Sequence, residues 1–294
     1  MASVRLALVN KFARWCLKPQ LKLTRRPAKA RFDMELAARL FCRRPPFMLV
    51  LENEHEERVS VGNSVGRKTI LYFHGGGYIA GSPATHCAML ARLSKLSGLP
   101  VVLPSYRLAP EHPAPAAFED ACAAHKRLLA RGFHPGDIIL GGDSAGGGLA
   151  LALMAHLTQI EQAPAAGFFL SPWTDLGLTG ASLTKNASRD VLLPVSRIQE
   201  LVGVVCGDCD PVDPRLSPLY AQFDKPPPIL IHASKSEILW DDSRRMAERL
   251  RDCGGRVVLT AQEDAPHVWP ILDGYIPEAR ATLKEIAAFL KQLP

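Results

Sequence analysis

The sequence holds no stretch of about 18 consecutive apolar residues, which argues against a membrane-spanning helix. Its start is basic, but Lys11 and Arg14 interrupt Leu6, Leu8, Val9, Phe12 and Trp15 before the apolar core of a secretory leader develops. The seven cysteines (Cys16, Cys42, Cys87, Cys122, Cys206, Cys209 and Cys253) are odd in number and scattered, so no disulfide framework is indicated and a cytoplasmic location is expected. Cys206 and Cys209 have CxxC spacing. No second CxxC or close histidine pair accompanies them to complete the four ligands of a structural zinc site, and they read as a helix end running into a loop. Neither G-x-G-x-x-G nor a loop ending in G-K-[ST] occurs, which argues against dinucleotide or phosphate binding. Internal repeats and low-complexity segments are also lacking.

What is present suits a globular chain. The 294 residues, 47% hydrophobic, suffice for one large α/β domain or two ordinary ones. The net charge of +6 is uneven: residues 1–45 hold twelve Lys or Arg against Asp33 and Glu35, a local balance of +10 that leaves the remainder near −4. Val4, Leu8, Phe12 and Trp15 recur at helical spacing and predict an amphipathic helix with a basic outer face. Such a stripe is expected to pack on the body of the protein, with a membrane-surface helix as the alternative.

From about residue 68, short apolar runs alternate with longer helical patterns, as in parallel strands joined by crossover helices. The runs are 69–73, 100–103, 138–140, 167–170, 229–232 and 256–260, and both faces of such a sheet are covered. Helices are expected near 85–97, 115–131, 145–159, 242–253 and 277–292, and two shorter strands within 46–61 flank the charged turn Glu52 to Glu57. Residues 1–45 and about 175–225 fit the alternation poorly. They are expected to lie outside the sheet as cap segments, the second with a helix around 194–206, so that 46–294 forms the catalytic domain.

The strand 138–140 runs into Gly141-Gly142-Asp143-Ser144-Ala145-Gly146-Gly147 and then a helical stretch, which sets G-x-S-x-G in the strand–turn–helix context where it means a nucleophile. Small neighbours let the backbone turn sharply and leave the Ser144 hydroxyl at a helix N-terminus. A serine needs a base to take its proton and a carboxylate to orient that base, in the order serine, acid, histidine along an α/β hydrolase. Of nine histidines, His55, His74, His86, His112, His125 and His134 precede Ser144, His156 lies in the following helix, and His232 precedes the best acid loop. His267, after the last predicted strand, is the expected base. Glu237 is the only carboxylate in Ala233-Ser234-Lys235-Ser236-Glu237-Ile238-Leu239-Trp240 and is the expected acid, with Asp175 as the alternative; Asp241 and Asp242 sit where a helix N-cap is needed. The strand 69–73 ends in His74-Gly75-Gly76-Gly77, a glycine loop suited to presenting backbone N–H groups to an oxyanion.

These motifs, with Tyr106-Arg107-Leu108-Ala109-Pro110-Glu111-His112-Pro113 and Ser171-Pro172-Trp173-Thr174-Asp175-Leu176, resemble the hormone-sensitive-lipase-like family of α/β hydrolases, bacterial carboxylesterases. The resemblance runs from about residue 68 to the C-terminus. It implies an α/β-hydrolase fold with a mainly helical cap, and oxyanion donors at Gly76, Gly77 and Ala145. It implies no metal and no organic cofactor. The acid departs from the family's usual Asp, although relatives similar to monoterpene lactone hydrolases also place Glu there. The resulting expectation is a serine carboxylesterase acting on small to medium-chain esters or lactones. Its partner is a small ester substrate rather than nucleic acid, and a homodimer is left open. The competing expectation is a non-catalytic small-molecule receptor on the same fold.

Overall fold

The computed structural model describes residues 2–62 and 67–293. An eight-stranded sheet forms its centre: β1 (Met48–Glu52), β2 (Glu56–Val61), β3 (Thr69–Phe73), β4 (Val101–Pro104), β5 (Ile138–Asp143), β6 (Ala166–Leu170), β7 (Ile229–Ser234) and β8 (Val257–Gln262). The spatial order is β1-β2-β4-β3-β5-β6-β7-β8; β2 pairs antiparallel with both β1 and β4, and all other pairs are parallel. Strands β3, β5, β6 and β7 are buried throughout, which is why they read as unbroken apolar runs rather than alternating ones. Alternation survives in which core each side chain enters. Ile70 and Tyr72 of β3 join one layer and Leu71 and Phe73 the other.

The helices, in chain order, are α1 (Val4–Phe12), continued by a π-helical turn (Ala13–Leu17), α2 (Lys18–Leu23), α3 (Pro27–Phe41), α4 (Pro83–Ser97), α5 (Ala116–Ala130), α6 (Ser144–Gln159), α7 (Ser182–Lys185), α8 (Ile198–Cys206), α9 (Trp240–Asp252) and α10 (Pro277–Lys291). Helices α4 and α10 cover the Ile70/Tyr72 face, while α5, α6 and α9 cover the Leu71/Phe73 face. The CxxC pair lies where α8 ends at Cys206, and the Cys209 thiol donates to the Ala114 carbonyl. Leu239, not Asp241 or Asp242, precedes α9 as its N-cap residue. Both aspartates lie in the first turn and reach other segments: Asp241 accepts from the Ser182 amide, and Asp242 from the Thr174 and Asp175 amides.

The N-terminal helix forms, but with the opposite face inward. Val4, Leu8, Phe12 and Trp15 are 79, 62, 55 and 76% exposed, whereas Leu6 is completely buried among Ala265, Trp269, Ile276 and Ala279. The helix has two apolar sides, and polar anchors choose between them. Ser3 caps α1 through the Leu6 amide and donates to Glu278, Asn10 donates to the Asp264 carbonyl, and Arg14 to the Ser188 and Arg189 carbonyls. Leu6→Ala should therefore cost about 2–5 kcal/mol of N-terminal docking, while Leu8→Ala should change stability by at most about 0.5 kcal/mol. Limited proteolysis of the first 45 residues, with urea unfolding alongside, checks this ordering. Equal sensitivity of the two variants would show that Leu6 is not the anchor.

Candidate active site

Parallel strands deliver their following loops to one edge of the sheet, and the predicted residues all follow β3, β5, β7 or β8 there. Ser144 is the first residue of α6, half-buried, with φ of +51° directly after the extended Asp143. A left-handed serine is strained, and close packing maintains it. A Cβ on Gly146 would stand 2.1 Å from the Phe73 carbonyl oxygen, so only glycine lets α6 approach β3 this closely. The Ser144 carbonyl accepts from the Trp173 amide at 2.9 Å.

The loop after β3 is folded back on itself, the Gly76 carbonyl accepting from the Ile79 and Ala80 amides. Gly76 has φ of +124°, and a Cβ there would lie 2.1 Å from the Ala80 carbonyl oxygen. Tyr106 supports the loop: its hydroxyl donates to the His74 carbonyl at 2.6 Å, and its ring stacks on His74 at 4.3 Å. Burial, reinforced by neighbouring His86, lowers His74 to about 4, so its ring is neutral at pH 7. Arg31 of α3 reaches the same loop from outside, donating to the Ile79 and Ala109 carbonyls and pairing with Glu111.

Asp143 joins this loop to the Ser144 turn. Its Oδ1 accepts from the Tyr72 hydroxyl at 2.9 Å and the Gly75 amide at 3.0 Å, and His86 Nε2 lies 3.2 Å away. Burial by itself would raise the Asp143 pKa, but His86 and the Tyr72 hydrogen bond outweigh it and hold the carboxyl below its ordinary 3.8.

His267 lies after β8, its Nδ1 2.6 Å from Glu237 Oε2. Glu237 is buried, and its second oxygen accepts from the Ser234 amide at 3.0 Å. The ring's Nε2 is buried and, among the described residues, has no hydrogen-bond partner. Burial opposes the charged form of His267, yet the hydrogen bond and charge of Glu237 prevail and its pKa is raised above the ordinary 6.5. Asp175, the alternative acid, is bound elsewhere, accepting from Thr179, Tyr220 and Arg245.

Two further polar residues stabilise the acid loop and carried no signal in the sequence. Asn186 donates to the Lys235 and Glu237 carbonyls, and buried Asp190 accepts from the Ile238 amide as well as those of Leu192 and Leu193. Only the folded chain brings residues 186–190 against 235–238.

A model of the α/β hydrolase fold matches residues 70–271. The chain belongs to the hormone-sensitive-lipase-like family of α/β hydrolases. Similar proteins include an acetyl-hydrolase of Streptomyces hygroscopicus, 37% identical over 225 residues that make up 76% of this chain and 75% of that protein. An esterase of Acinetobacter venetianus is 36% identical, again across 76% of this chain and 75% of its own length. Among solved structures, an esterase from the bacterial hormone-sensitive lipase family superposes with a TM-score of 0.92 at 34% identity, covering 100% of this chain and 99% of that one. In this α/β hydrolase, Asp143→Ala should leave the Tyr72 hydroxyl and Gly75 amide without their acceptor, at about 1–3 kcal/mol each. The depressed Asp143 pKa contributes stability that is present above 3.8 and lost as pH falls below it. Urea unfolding should show the gap between wild type and variant narrowing below that pH.

Proposed function

We propose that the protein is a serine carboxylic ester hydrolase in which Ser144, His267 and Glu237 form the catalytic triad. The carrying observation is the 2.6 Å contact between His267 Nδ1 and Glu237 Oε2, with Nε2 buried and, among the described residues, unbonded. A carboxylate can only accept, so it keeps the proton of neutral His267 on Nδ1 and leaves Nε2 with a lone pair. That lone pair takes the Ser144 proton as Oγ attacks the acyl carbon. The resulting oxyanion is held by the backbone N–H groups of Gly76, Gly77 and Ala145. His267 then passes the proton to the departing alkoxide, leaving an acyl-serine. Water, deprotonated by the same nitrogen, releases the acid and restores the hydroxyl. Every proton is accounted for without a cofactor. Ester hydrolysis also accords with similar proteins named acetyl-hydrolase and esterase.

Residues 1–45 and about 175–225 are assigned as the cap that shapes the acyl and alcohol pockets, for small to medium-chain esters or lactones. This accords with Arg31 gripping the glycine loop and residues 186–190 gripping the acid loop. Seven free thiols suit the cytoplasm.

Ser144→Ala should abolish turnover of p-nitrophenyl esters while leaving the fold intact, and an organophosphonate should label Ser144 stoichiometrically. Turnover at wild-type level in the folded variant would sink the assignment. The pH dependence tests the acid separately. His267 must be neutral to act, so the acid limb of kcat/KM is expected above 6.5 in the wild type. Glu237→Gln removes the charge that raises His267 and leaves burial to lower it. The limb should move to lower pH while kcat falls roughly 10³-fold or more. Asp175→Asn should leave the limb in place, and the opposite pattern would reassign the acid.

A further inference from the structure

Among the described residues, fourteen of the seventeen exposed large hydrophobic side chains lie between Val4 and Leu51, a concentration that ordinary surface scatter does not produce. The most ordered part of it is on α1 and its π-helical extension. At about 100° per residue, Val4, Leu8 and Phe12 fall within an arc of about 80°, and exposed Trp15 follows them on the π-helical turn. Leu6, Asn10 and Ala13 lie on the far side, where Leu6 is buried and Asn10 is bonded to the His267 loop. The same anchors hold the exposed face in place.

Charge accompanies the apolar face. Arg5 and Lys11 flank the stripe on its two edges, and Lys22, Arg25 and Arg26 follow on the next segment. All five are exposed, and among the described residues none of their side chains pairs with a carboxylate. The acidic residues near α1 are on its anchored side, where Glu278 accepts from Ser3 and Asp264 offers its carbonyl to Asn10. An apolar ridge containing a tryptophan and a phenylalanine, edged by cations, matches the layered chemistry of an anionic bilayer surface. Acyl chains receive the ridge, the aromatic rings sit at the headgroup level, and phosphates meet the lysines and arginines. No helix among the described residues is long and apolar enough to cross a membrane, so the contact is peripheral.

We propose that the exposed face of α1 and its π-helical extension, carrying Val4, Leu8, Phe12 and Trp15 beside Arg5 and Lys11, docks this protein on an anionic lipid surface. Docking would hold the enzyme at the interface where apolar esters partition. A second copy of the chain could also cover an apolar ridge, but two copies of this face would bring like charges together, which favours the lipid.

The full-length protein, mixed with phosphatidylcholine vesicles with or without about 30 mol % phosphatidylglycerol, tests this by co-sedimentation without any turnover. Binding should be at least about tenfold stronger to the anionic vesicles at low salt and should weaken as salt rises. Trp15 is the one exposed tryptophan of the four, so bound protein should emit at shorter wavelength. Phe12→Ser with Trp15→Ser should reduce binding about tenfold and remove the spectral shift, with the circular dichroism spectrum and urea unfolding of the protein unchanged. Arg5→Glu with Lys11→Glu should erase the preference for anionic lipid. Absence of binding, equal binding to both compositions, or a dimer in light scattering that Trp15→Ser dissociates would each overturn the proposal. Because binding is read directly, its failure leaves the esterase assignment standing, and failure of that assignment leaves docking intact.

Discussion

A buried carboxylate persists only where charge and hydrogen bonds replace the water it has lost, and the site is organised around one such group. Asp143 precedes the strained Ser144 and receives the Gly75 amide, the Tyr72 hydroxyl and His86. Its partners come from the strand and loop of β3 and from α4, while Asp143 itself ends β5. The glycine loop and the serine turn are therefore tied to each other through one anion in addition to their packing. The close approach of α6 to β3 at Gly146 shortens that span to hydrogen-bonding length.

The other half of the site is held by residues 186–190. Glu237 orients His267, and the acid loop that carries Glu237 is itself gripped by Asn186 and Asp190. The carbonyls of residues 187–190 in turn receive Arg14 and Lys18 from the N-terminal helices. Some of the positive charge near the N-terminus is thus directed inward as carbonyl ligands. Arg5 and Lys11 remain outside, beside the apolar ridge. One helix combines a structural inner face with an outer face free to meet something else.

The sequence carried the elements well where local chemistry was unambiguous. Each predicted strand from 69 to 260 formed within one or two residues at its start, because a fully buried parallel strand must be continuously apolar. The serine turn was legible for a similar reason, since small residues are demanded by the backbone itself. The N-cap role expected of Asp241 and Asp242 failed because a short acidic side chain in a first turn can bond outward as easily as to its own helix. Burial of the Val4–Trp15 stripe failed because α1 has apolar residues on both sides, and periodicity does not say which side finds a partner.

Sequence alone determined the parallel α/β architecture and the Gly–Asp–Ser–Ala–Gly turn, and it proposed His267 and Glu237 by their order along the chain. Those features are written in nearest neighbours and in spacing. Tertiary structure decided that Asp143 is the hub, that Asn186 and Asp190 secure the acid loop, that Asp175 serves Thr179, Tyr220 and Arg245, and that Leu6 rather than Leu8 faces inward. Each of these depends on a partner far away in the chain. A side chain's donors, acceptors and apolar neighbours across the fold are set by packing, and no local pattern records them.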